Sequence, residues 1–246
     1  MGTLRKRSSH QYEEMGRLTQ GLLHNINNTL GSIAGFAEFL TEDLEEGSPT
    51  HSFAENIKSA SDHLKDLVRQ MWTLNAIGEI SYDDNTDIID LSEVIESQML
   101  QISETLYKNM KISLALNIAD ELSDTKIIGH HGYVTQMFLE LLGNAIESYE
   151  EISQGKEKII SITILKSPNS KNHLSMLIED NGEGMDKDVL KQCRTPFFSY
   201  KDASEHHGLG LSVVDAILKT MNGTMEITSE KNKGTKVTIN LRQNVT

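Results

Sequence analysis

Cysteine, proline and long apolar runs are all scarce in this chain of 246 residues. The single cysteine, Cys193, excludes a disulfide framework and fits a reducing compartment. No apolar run approaches the roughly 18 residues of a membrane span, and no signal peptide is visible. Together these absences favour a cytoplasmic globular protein, with a length that suits one large domain or two modest ones.

Basic charge is scarce as well, because 36 acidic residues outweigh 23 basic ones and give a formal net charge of −13. This balance argues against a nucleic-acid partner, since phosphates need a basic face. A basic run near the start, Arg5-Lys6-Arg7, has two interpretations. It is either a solvated helix start or the flank of a membrane segment that this chain lacks, which would make the chain the cytoplasmic part of a membrane-attached protein.

The first half of the chain, residues 10–79, predicts two long amphipathic helices because its apolar residues recur near a period of 3.6. Gly47 and Pro49 end the first helix, and the second runs from about Ser52 to Ile77. Such a pair forms an antiparallel hairpin that leaves a wide apolar stripe uncovered. A second copy would cover it, so residues 10–79 predict a homodimer through a dimeric four-helix bundle. The apolar positions are Met15, Leu18, Leu22, Ile26, Leu30, Ile33, Ala37 and Leu40, then Phe53, Ile57, Ala60, Leu64, Leu67, Met71 and Leu74.

The second half follows a polar linker, Ser81 to Asp87, and alternates helix-like with strand-like segments. This pattern predicts an α+β fold, an α/β sandwich in which helices cover one mixed sheet. The predicted domains are residues 1–82 and 83–246. The predicted helices are Leu91–Lys108, Gly132–Tyr149 and Gly208–Met221. The predicted strands are Lys111–Ile118, Lys158–Leu165, His173–Glu179, Thr224–Ser229 and Gly234–Leu241.

Three polar clusters stand out in the second half, and the first lies on a predicted helix. Glu140, Asn144 and Glu147 are spaced at i, i+4 and i+7 and therefore share one helix face. An amide and two carboxylates on an otherwise apolar helix suit a hydrated Mg²⁺, which keeps several waters and takes few protein oxygens. Asn144 taken alone is more typical of an ordinary polar helix position.

The other two clusters are rich in glycine. Asp180-Asn181-Gly182-Glu183-Gly184-Met185 follows a predicted strand, where the carboxylate can accept a hydrogen bond from an exocyclic amine and the glycines admit a ring close to the backbone. Gly208-Leu209-Gly210-Leu211 opens a helix, whose N–H groups and dipole suit a phosphate. A polar loop of lid length, residues 195–202, lies between them. Each motif alone is more often a turn, but their order and spacing favour a nucleotide site.

These motifs resemble the boxes of the histidine kinases of two-component signalling. More broadly, the second half resembles the Bergerat-type ATP-binding fold that those kinases share with gyrase-, Hsp90- and MutL-type ATPases. Residues 140–147 resemble the N box, residues 180–185 the first glycine box and residues 195–201 the phenylalanine box. Residues 208–211 resemble the second glycine box, and Gly234-Thr235 the last glycine element.

The resemblance implies ATP and Mg²⁺ as cofactors and assigns residues to both. Asn144 would ligate Mg²⁺, with Glu140 assisting through water, and Asp180 would bind the adenine amine. The other residues that the resemblance assigns to ATP are Gly182 and Gly184 beside the base, Gly208, Leu209 and Gly210 at the phosphates, Lys201 in the lid, and Thr235.

The first half resembles the phosphoacceptor helix of the subgroup that carries His-Asp-Phe-Asn-Asn, because Asn27 and Asn28 follow His24 at the matching positions. His24 lies about 200° around the helix from Leu22 and from Ile26, so it points away from their seam. The alternative, an idle surface histidine, is disfavoured because an ATP site follows. The resemblance implies a protein-histidine kinase that phosphorylates His24 and transfers the phosphoryl group to an aspartate of a response-regulator receiver domain.

Asn25 departs from that family at the position where an acid takes up the proton of the attacking imidazole. An amide can orient the ring but cannot take a proton near neutral pH. Asn28 shares the face of His24 and could orient a water, and in the family this position assists hydrolysis of the phosphorylated partner. Glu140 could replace the missing base, or could only help to ligate Mg²⁺ through water.

Two further hypotheses therefore stand beside the autokinase. The protein could act mainly as a phosphatase or phosphotransfer module for its regulator, or as a plain ATPase that uses Glu140 and water. His206, where the family usually has another glycine, predicts a stiffer lid and weaker ATP affinity, and the pair His206-His207 has too few ligands for a metal. The input signal would come from a sensor domain or a sensor partner outside this chain.

Overall fold

The computed structural model divides the chain into two compact units, Met1–Glu79 and Ile80–Thr246. The structure describes residues 23, 25–77, 87–149, 157–168, 170, 172–200 and 208–244. His24, Lys201, His206 and His207, all singled out from the sequence, lie outside the described residues. Within the described residues, no helix is both long enough and apolar enough to cross a membrane.

The first unit is a helical hairpin. Its helices are α1, residues 25–43, and α2, Pro49–Ile77. The predicted end of the first helix at Gly47 is wrong, because α1 ends at residue 43. Gly47 lies in the turn between the helices with a φ of +79°, which glycine adopts without steric cost. The predicted start of α2 at Ser52 is wrong. Pro49 belongs to the helix instead, because the first helical position needs no N–H donor and favours the fixed φ of proline.

The hairpin buries only part of its apolar surface. Leu23, Leu30 and Val68 form a buried cluster that joins α1 to α2, and an ion pair of 2.7 Å between Glu38 and Lys58 joins the helices near the loop. The large apolar residues that stay exposed in the single chain are Ile26, Ile33, Phe36, Phe39, Leu40, Phe53, Ile57, Leu64 and Met71. One hairpin therefore carries a wide apolar stripe that its own residues do not cover.

The second unit is built on a five-stranded mixed sheet with the strand order β2-β4-β5-β7-β6. Its strands are β2 Ile112–Ile118, β4 Lys158–Lys166, β5 His173–Asp180, β6 Thr224–Glu230 and β7 Gly234–Arg242. β2 and β4 pair in parallel, and the other neighbours are antiparallel. The remaining elements are β1 Asp87–Asp90, α3 Leu91–Met110, β3 Lys126–Gly129, α4 His131–Glu147, α5 Lys187–Gln192 and α6 Gly210–Thr220. The predicted α+β class with a mixed sheet is confirmed.

Several boundaries differ from the sequence prediction for reasons of backbone geometry. The helix predicted from Gly208 begins at Gly210, because Gly208 has a φ of +63° and cannot be helical. Lys111 was predicted to open β2 but caps the end of α3 in the left-handed conformation. The prediction also missed β1 and β3, which pair with each other, and α5. These elements have four to six residues, too few for a hydrophobic period to show.

The core of the second unit fixes α4 against the sheet and against α6. Alternate residues of β4 and β5 are fully or almost fully buried: Ile160, Ile162, Ile164, Leu174, Met176 and Ile178. The buried face of α4 has helical spacing and consists of Val134, Met137, Phe138, Leu141, Leu142 and Ala145. Periods of two in the strands and 3.6 in the helix explain why these elements were predictable. The packing also sets the polar face of α4 that adjoins this buried face beside the end of β5.

Tyr149, just after α4, joins that helix to the ends of β4 and β5. Its buried hydroxyl lies 2.6 Å from the carbonyl oxygen of Ile159 and 2.6 Å from Asn181 Oδ1. Asn181 also accepts the N–H of Ile159 and donates to the carbonyl oxygen of Glu157. Burial raises the pKa of Tyr149 to about 12, because the ionised phenol would lose its hydration. Asn181 is therefore part of the framework that holds the motif around it.

Replacing this hydroxyl should destabilise the second unit. Tyr149→Phe is expected to lower the free energy of unfolding by about 1–3 kcal/mol, because Ile159 and Asn181 lose a buried donor. The phenol keeps its proton on folding, so its stabilising effect is complete below about pH 10 and is lost as the pH rises to about 12. Urea unfolding near pH 8 and near pH 11 should show the two proteins converging at the higher pH.

The exposed Tyr107 supplies the matched control, since Tyr107→Phe removes a hydroxyl from the surface of α3. Its effect should stay within about 0.5 kcal/mol. A Tyr149→Phe protein that is as stable as the parent near neutral pH would contradict the role given to Tyr149.

Candidate functional site

The end of β5 places Asp180 where three segments meet. Its Oδ1 accepts hydrogen bonds from the N–H of Gly182 at 2.8 Å, the hydroxyl of Ser148 at 3.1 Å and the N–H of Thr235 at 3.3 Å. Ser148 caps the end of α4, and Thr235 lies near the start of β7. Three donors on one oxygen fix the rotation of the carboxylate, so the strand end offers an acceptor of defined direction.

The glycines around Asp180 have no room for side chains. A Cβ at Gly182 would overlap Ser148, and a Cβ at Gly184, whose φ is +64°, would overlap the last carbonyl of β6. Gly234 has a φ of +112° and approaches the carbonyl oxygen of Asp180 just as closely. Only glycine fits such contacts. The loop after Asp180 is therefore wedged between the end of α4 and the turn that joins β6 to β7.

Glu183, between the two glycines of this loop, is only 9% exposed. Its carboxylate forms an ion pair with Lys231 of the β6–β7 turn and accepts a hydrogen bond of 3.4 Å from the hydroxyl of Tyr200. The ammonium group of Lys231 also lies 5.8 Å from the centroid of the Tyr200 ring. The sequence motif left position 183 without a role, because only the tertiary structure shows that this carboxylate is buried and paired. The cluster anchors the loop to two neighbouring segments.

Glu140 and Asn144 of α4 meet the start of α6. A Cβ at Gly210 would lie 2.9 Å from Glu140 Oε2 and 3.8 Å from Asn144 Oδ1. Among the residues that the structure describes, no side chain caps the N-terminus of α6, which begins at Gly210. The positive end of a helix dipole therefore lies beside a carboxylate and an amide, an arrangement that suits a phosphate group bridged to the protein by a cation.

The donors at this point fit a magnesium ion better than a transition metal. A carboxylate and an amide provide hard oxygen ligands, and Mg²⁺ keeps most of its own waters. Among the described residues, no group of three or more His, Cys, Asp or Glu side chains could hold a metal by itself. A structural zinc site would need four such ligands, so the residues present fit a weakly held Mg²⁺ that also binds substrate phosphates.

The two ends of the loop that precedes α6 are held together at its base. The N–H of Phe197 donates to the carbonyl oxygen of Gly208 at 2.9 Å, and Gly208 has a φ of +63°. Just before the loop, the guanidinium of Arg194 forms a bidentate ion pair with Asp215 of α6. The base of the loop is therefore tied to the first turns of α6. Lys201, farther along this loop, lies outside the described residues.

On α1, Asn25 and Asn28 are both exposed helical residues. Their carbonyl oxygens accept the hydroxyls of Thr29 at 3.0 Å and Ser32 at 3.2 Å. These bonds to the preceding turn leave the helix continuous, and both asparagines are exposed on its surface. The part of the predicted phosphoacceptor region that follows residue 24 in the chain is thus helical.

One face of α4 extends between the two polar parts of the second unit, which are the start of α6 and the end of β5 at Asp180. Glu140, Asn144 and Ser148 are spaced by four residues and share that face. It runs from the start of α6 to the carboxylate of Asp180, over about 12 Å. An acceptor for an amine at one end and a helix N-terminus with oxygen ligands at the other suit an adenine nucleotide with its Mg²⁺. Ser148 follows Asn144 by four residues, so the sequence could have predicted that Ser148 belongs to the same polar face.

Both halves of the chain match known families. Residues 14–79 match the His Kinase A (phospho-acceptor) domain, and residues 129–245 match the histidine kinase-, DNA gyrase B- and HSP90-like ATPase. The chain belongs to the histidine kinases. The predicted family is thereby confirmed, whereas the likeness to the His-Asp-Phe-Asn-Asn subgroup stays a prediction.

The chain is similar to curated sensor kinases over nearly its whole length. It is 28% identical over 232 residues to sensor histidine kinase ZraS of Escherichia coli K12, which covers 94% of this chain and 46% of the relative. It is 25% identical over 242 residues to sporulation kinase E of Bacillus subtilis 168, which covers 98% of this chain and 30% of the relative. The chain spans about half the length of these relatives or less.

Solved kinase structures share its fold. Full-length ShkA in complex with AMPPNP matches with a TM-score of 0.73 and 18% identity, over 94% of this chain and 47% of that one. The Acinetobacter baumannii histidine kinase AdeS matches with a TM-score of 0.59 and 20% identity, over 89% of this chain and 97% of that one. At these identities the likeness shows the fold.

The close contact at Gly184 should make this position intolerant of any side chain. Gly184→Ala is expected to lower the free energy of unfolding by roughly 2 kcal/mol or more, because alanine disfavours a φ of +64° and its Cβ would overlap a backbone carbonyl. Gly143→Ala is the matched control, since nothing lies within 4 Å of a Cβ there and Gly143 is inside α4. Alanine should stabilise that helix by about 0.5–1 kcal/mol.

Urea unfolding followed by circular dichroism measures both changes. Equal shifts in the two variants, or a Gly184→Ala protein as stable as the parent, would contradict the wedged position of the glycine loop.

Proposed function

We propose that this chain is the catalytic core of a sensor kinase that phosphorylates His24 from ATP and transfers the phosphoryl group to an aspartate of a response-regulator receiver domain. The observation that carries the proposal is the meeting of Glu140, Asn144 and Gly210 inside an ATPase domain. The match of residues 14–79 to a phospho-acceptor domain, which includes position 24, supports the same activity. The sensor kinases among the relatives support it as well.

ATP would bind with its base at Asp180 and its phosphates at the start of α6. The fixed carboxylate of Asp180 would accept a hydrogen bond from the adenine amine. Gly182, Gly184 and Thr235 would lie around the base and leave room for it. The N–H groups of Gly208, Leu209 and Gly210 would hold the phosphates. Lys201, in the loop that precedes α6, would be part of the lid over the nucleotide. The AMPPNP bound by ShkA, whose fold is similar, supports a nucleotide in this domain.

Mg²⁺ would be held by Asn144, with Glu140 contributing directly or through a water. Bound there, the ion would neutralise phosphate charge. Glu140 lies beside Gly210, so its carboxylate needs such a cation before an anionic phosphate can approach α6. This requirement makes nucleotide binding dependent on the divalent ion.

The transfer to His24 would proceed by in-line attack of a neutral ring nitrogen on the γ-phosphorus. The N–P bond forms while the bond from the γ-phosphorus to the bridging oxygen breaks, and ADP leaves with the electron pair. The second ring nitrogen must then release or share its proton. Asn25 can accept a hydrogen bond from that N–H and orient the ring, but it cannot remove the proton. Glu140, or a water held by Asn28, is the candidate to complete the step.

The exposed apolar stripe of the hairpin favours a homodimer through residues 10–79. Phenylalanine, isoleucine and leucine side chains exposed on α1 and α2 would be covered by a second copy, which forms the four-helix bundle predicted from the sequence. The docking surface for the receiver domain would lie on the same unit, around position 24. Because the chain spans only part of the sensor kinases it resembles, an upstream sensor domain or sensor partner would supply the input. The cytoplasmic location stays a prediction.

Autophosphorylation should depend on one imidazole. Incubation with γ-labelled ATP and Mg²⁺ is expected to label the parent chain, with a bond that is labile in acid and stable in base. His24→Gln should abolish the label because glutamine has no ring nitrogen to attack the γ-phosphorus. His63→Gln, the same substitution on α2, is the matched control and should retain it. Absence of label from the parent would overturn the proposed activity.

The rate of that reaction should be limited by the missing acid at position 25. Asn25→Asp is expected to raise the initial rate of labelling by about 100-fold or more, the usual effect of a positioned general base. Asn27→Asp adds the same charge two residues away and should have little effect. An unchanged rate in Asn25→Asp would contradict this role for Asn25 and would place the base at Glu140, where Glu140→Gln should then abolish labelling.

The same variants separate the other two activities considered from the sequence. A plain ATPase would release phosphate from ATP in His24→Gln and lose that release in Glu140→Ala. A regulator phosphatase would dephosphorylate a receiver domain without being labelled itself. Each outcome is measured by phosphate release in parallel with the label.

A further inference from the structure

Ser148 touches the carboxylate to which the proposed function assigns the adenine amine. Its Oγ lies 3.1 Å from Asp180 Oδ1 and 2.7 Å from the carbonyl oxygen of Ala145. Through its own carbonyl it accepts the N–H of Glu183 at 2.9 Å. Ser148 therefore joins the end of α4 to the end of β5 and to the glycine loop by separate contacts.

The hydroxyl of Ser148 carries one proton and has two acceptors within reach. Hydrogen bonds to an ionised acceptor are roughly twice as strong as those between neutral groups, so an ionised Asp180 draws the proton. The other two donors to Oδ1 are backbone N–H groups of Gly182 and Thr235. Ser148 thus supplies the one side-chain donor among the three, and it acts from the side of α4.

The position of this hydroxyl controls the rotation of the carboxylate. Without it, Oδ1 keeps the backbone donors of Gly182 and Thr235 but loses its donor from α4, and the group can turn about its Cβ–Cγ bond into the space that the hydroxyl leaves. A turned carboxylate still carries its charge but no longer aims its oxygens in a fixed direction. An amine held in one geometry then loses part of its hydrogen bond, because such bonds weaken steeply with angle.

We propose that Ser148 is a positioning residue that sets how strongly this site selects a purine with an exocyclic 6-amino group. The inference rests on the proposed function, because it takes Asp180 as the acceptor of that amine. A purine that lacks the amine gains nothing from the direction of the carboxylate. Ser148 therefore acts on the choice of base and leaves the binding of the phosphates at α6 unchanged.

Two triphosphates that differ only in the amine test this role. Isothermal titration of the full chain in the presence of Mg²⁺ compares ATP with purine riboside 5′-triphosphate, and ATP should bind the parent more tightly. In Ser148→Ala the ratio of the two dissociation constants should fall by about two- to tenfold, the usual worth of one such hydrogen bond. The affinity for the triphosphate without the amine should stay the same.

Ser97→Ala is the matched control on another helix. The hydroxyl of Ser97 donates to the carbonyl oxygen of Val94 at 2.8 Å, three residues earlier, and the hydroxyl of Ser148 lies at a similar place, 2.7 Å from the carbonyl oxygen of Ala145. The control removes a hydroxyl from the same local position and should leave the ratio at the parent value. If Ser148→Ala does not fold, Ser148→Cys keeps the volume of the side chain with a weaker donor and repeats the comparison.

The outcomes separate this inference from the proposed function. An unchanged ratio in Ser148→Ala, together with a reduced ratio in Asp180→Asn, overturns the inference and leaves the nucleotide site intact. An equal loss of affinity for both triphosphates also overturns it, because a merely structural role would weaken both. A parent chain that binds neither triphosphate overturns the proposed function itself.

Discussion

The carboxylate of Asp180 receives three hydrogen bonds on one oxygen, and the geometry of the second unit depends on that convergence. Its donors come from the end of α4, from the glycine loop and from the start of β7. These segments are far apart in the chain and meet at one atom. Because Asp180 is half-buried and its oxygen is held from three sides, a shift of any one segment removes a donor from this oxygen and is resisted by the other two.

Glycine makes these close approaches possible. At Gly184 and Gly234 the chain passes so near to other backbone that a single methyl group would overlap a carbonyl, and both residues have a positive φ. The wedge they form is reinforced by the pairing of Glu183 with Lys231 and by the hydroxyl of Tyr149, which joins α4 to Asn181. The proposed base-binding site is thereby built from residues that leave space and from neighbours that fix that space.

α4 relates the two ends of this site. Its buried face packs into the core, while the face beside it carries Glu140, Asn144 and Ser148 at successive turns. The first two lie beside the start of α6, and the third lies beside Asp180. A helix is rigid and rises by a constant amount for each residue, so the distance between the two ends is set by covalent geometry. The hairpin unit differs from this arrangement, since it leaves much of its apolar surface uncovered.

The sequence by itself determined the family, the α+β class and the long elements, and it predicted the residues of the boxes. Long amphipathic helices and alternating strands carry a period that survives in a single sequence, and the spacing of Glu140 from Asn144 is a local property of one helix. Short elements such as β1, β3 and α5 were missed because four to six residues carry no period.

Only the tertiary structure decided which residues meet across the chain. It brought Ser148 to Asp180, Lys231 to Glu183 and Gly210 to Glu140. It also showed that Asn181, which the motif groups with the base-binding residues, serves the framework instead. These contacts join segments that are separated by dozens of residues, and their partners are chosen by packing and by the need to satisfy buried polar groups. No local pattern records that choice, because it depends on the whole core.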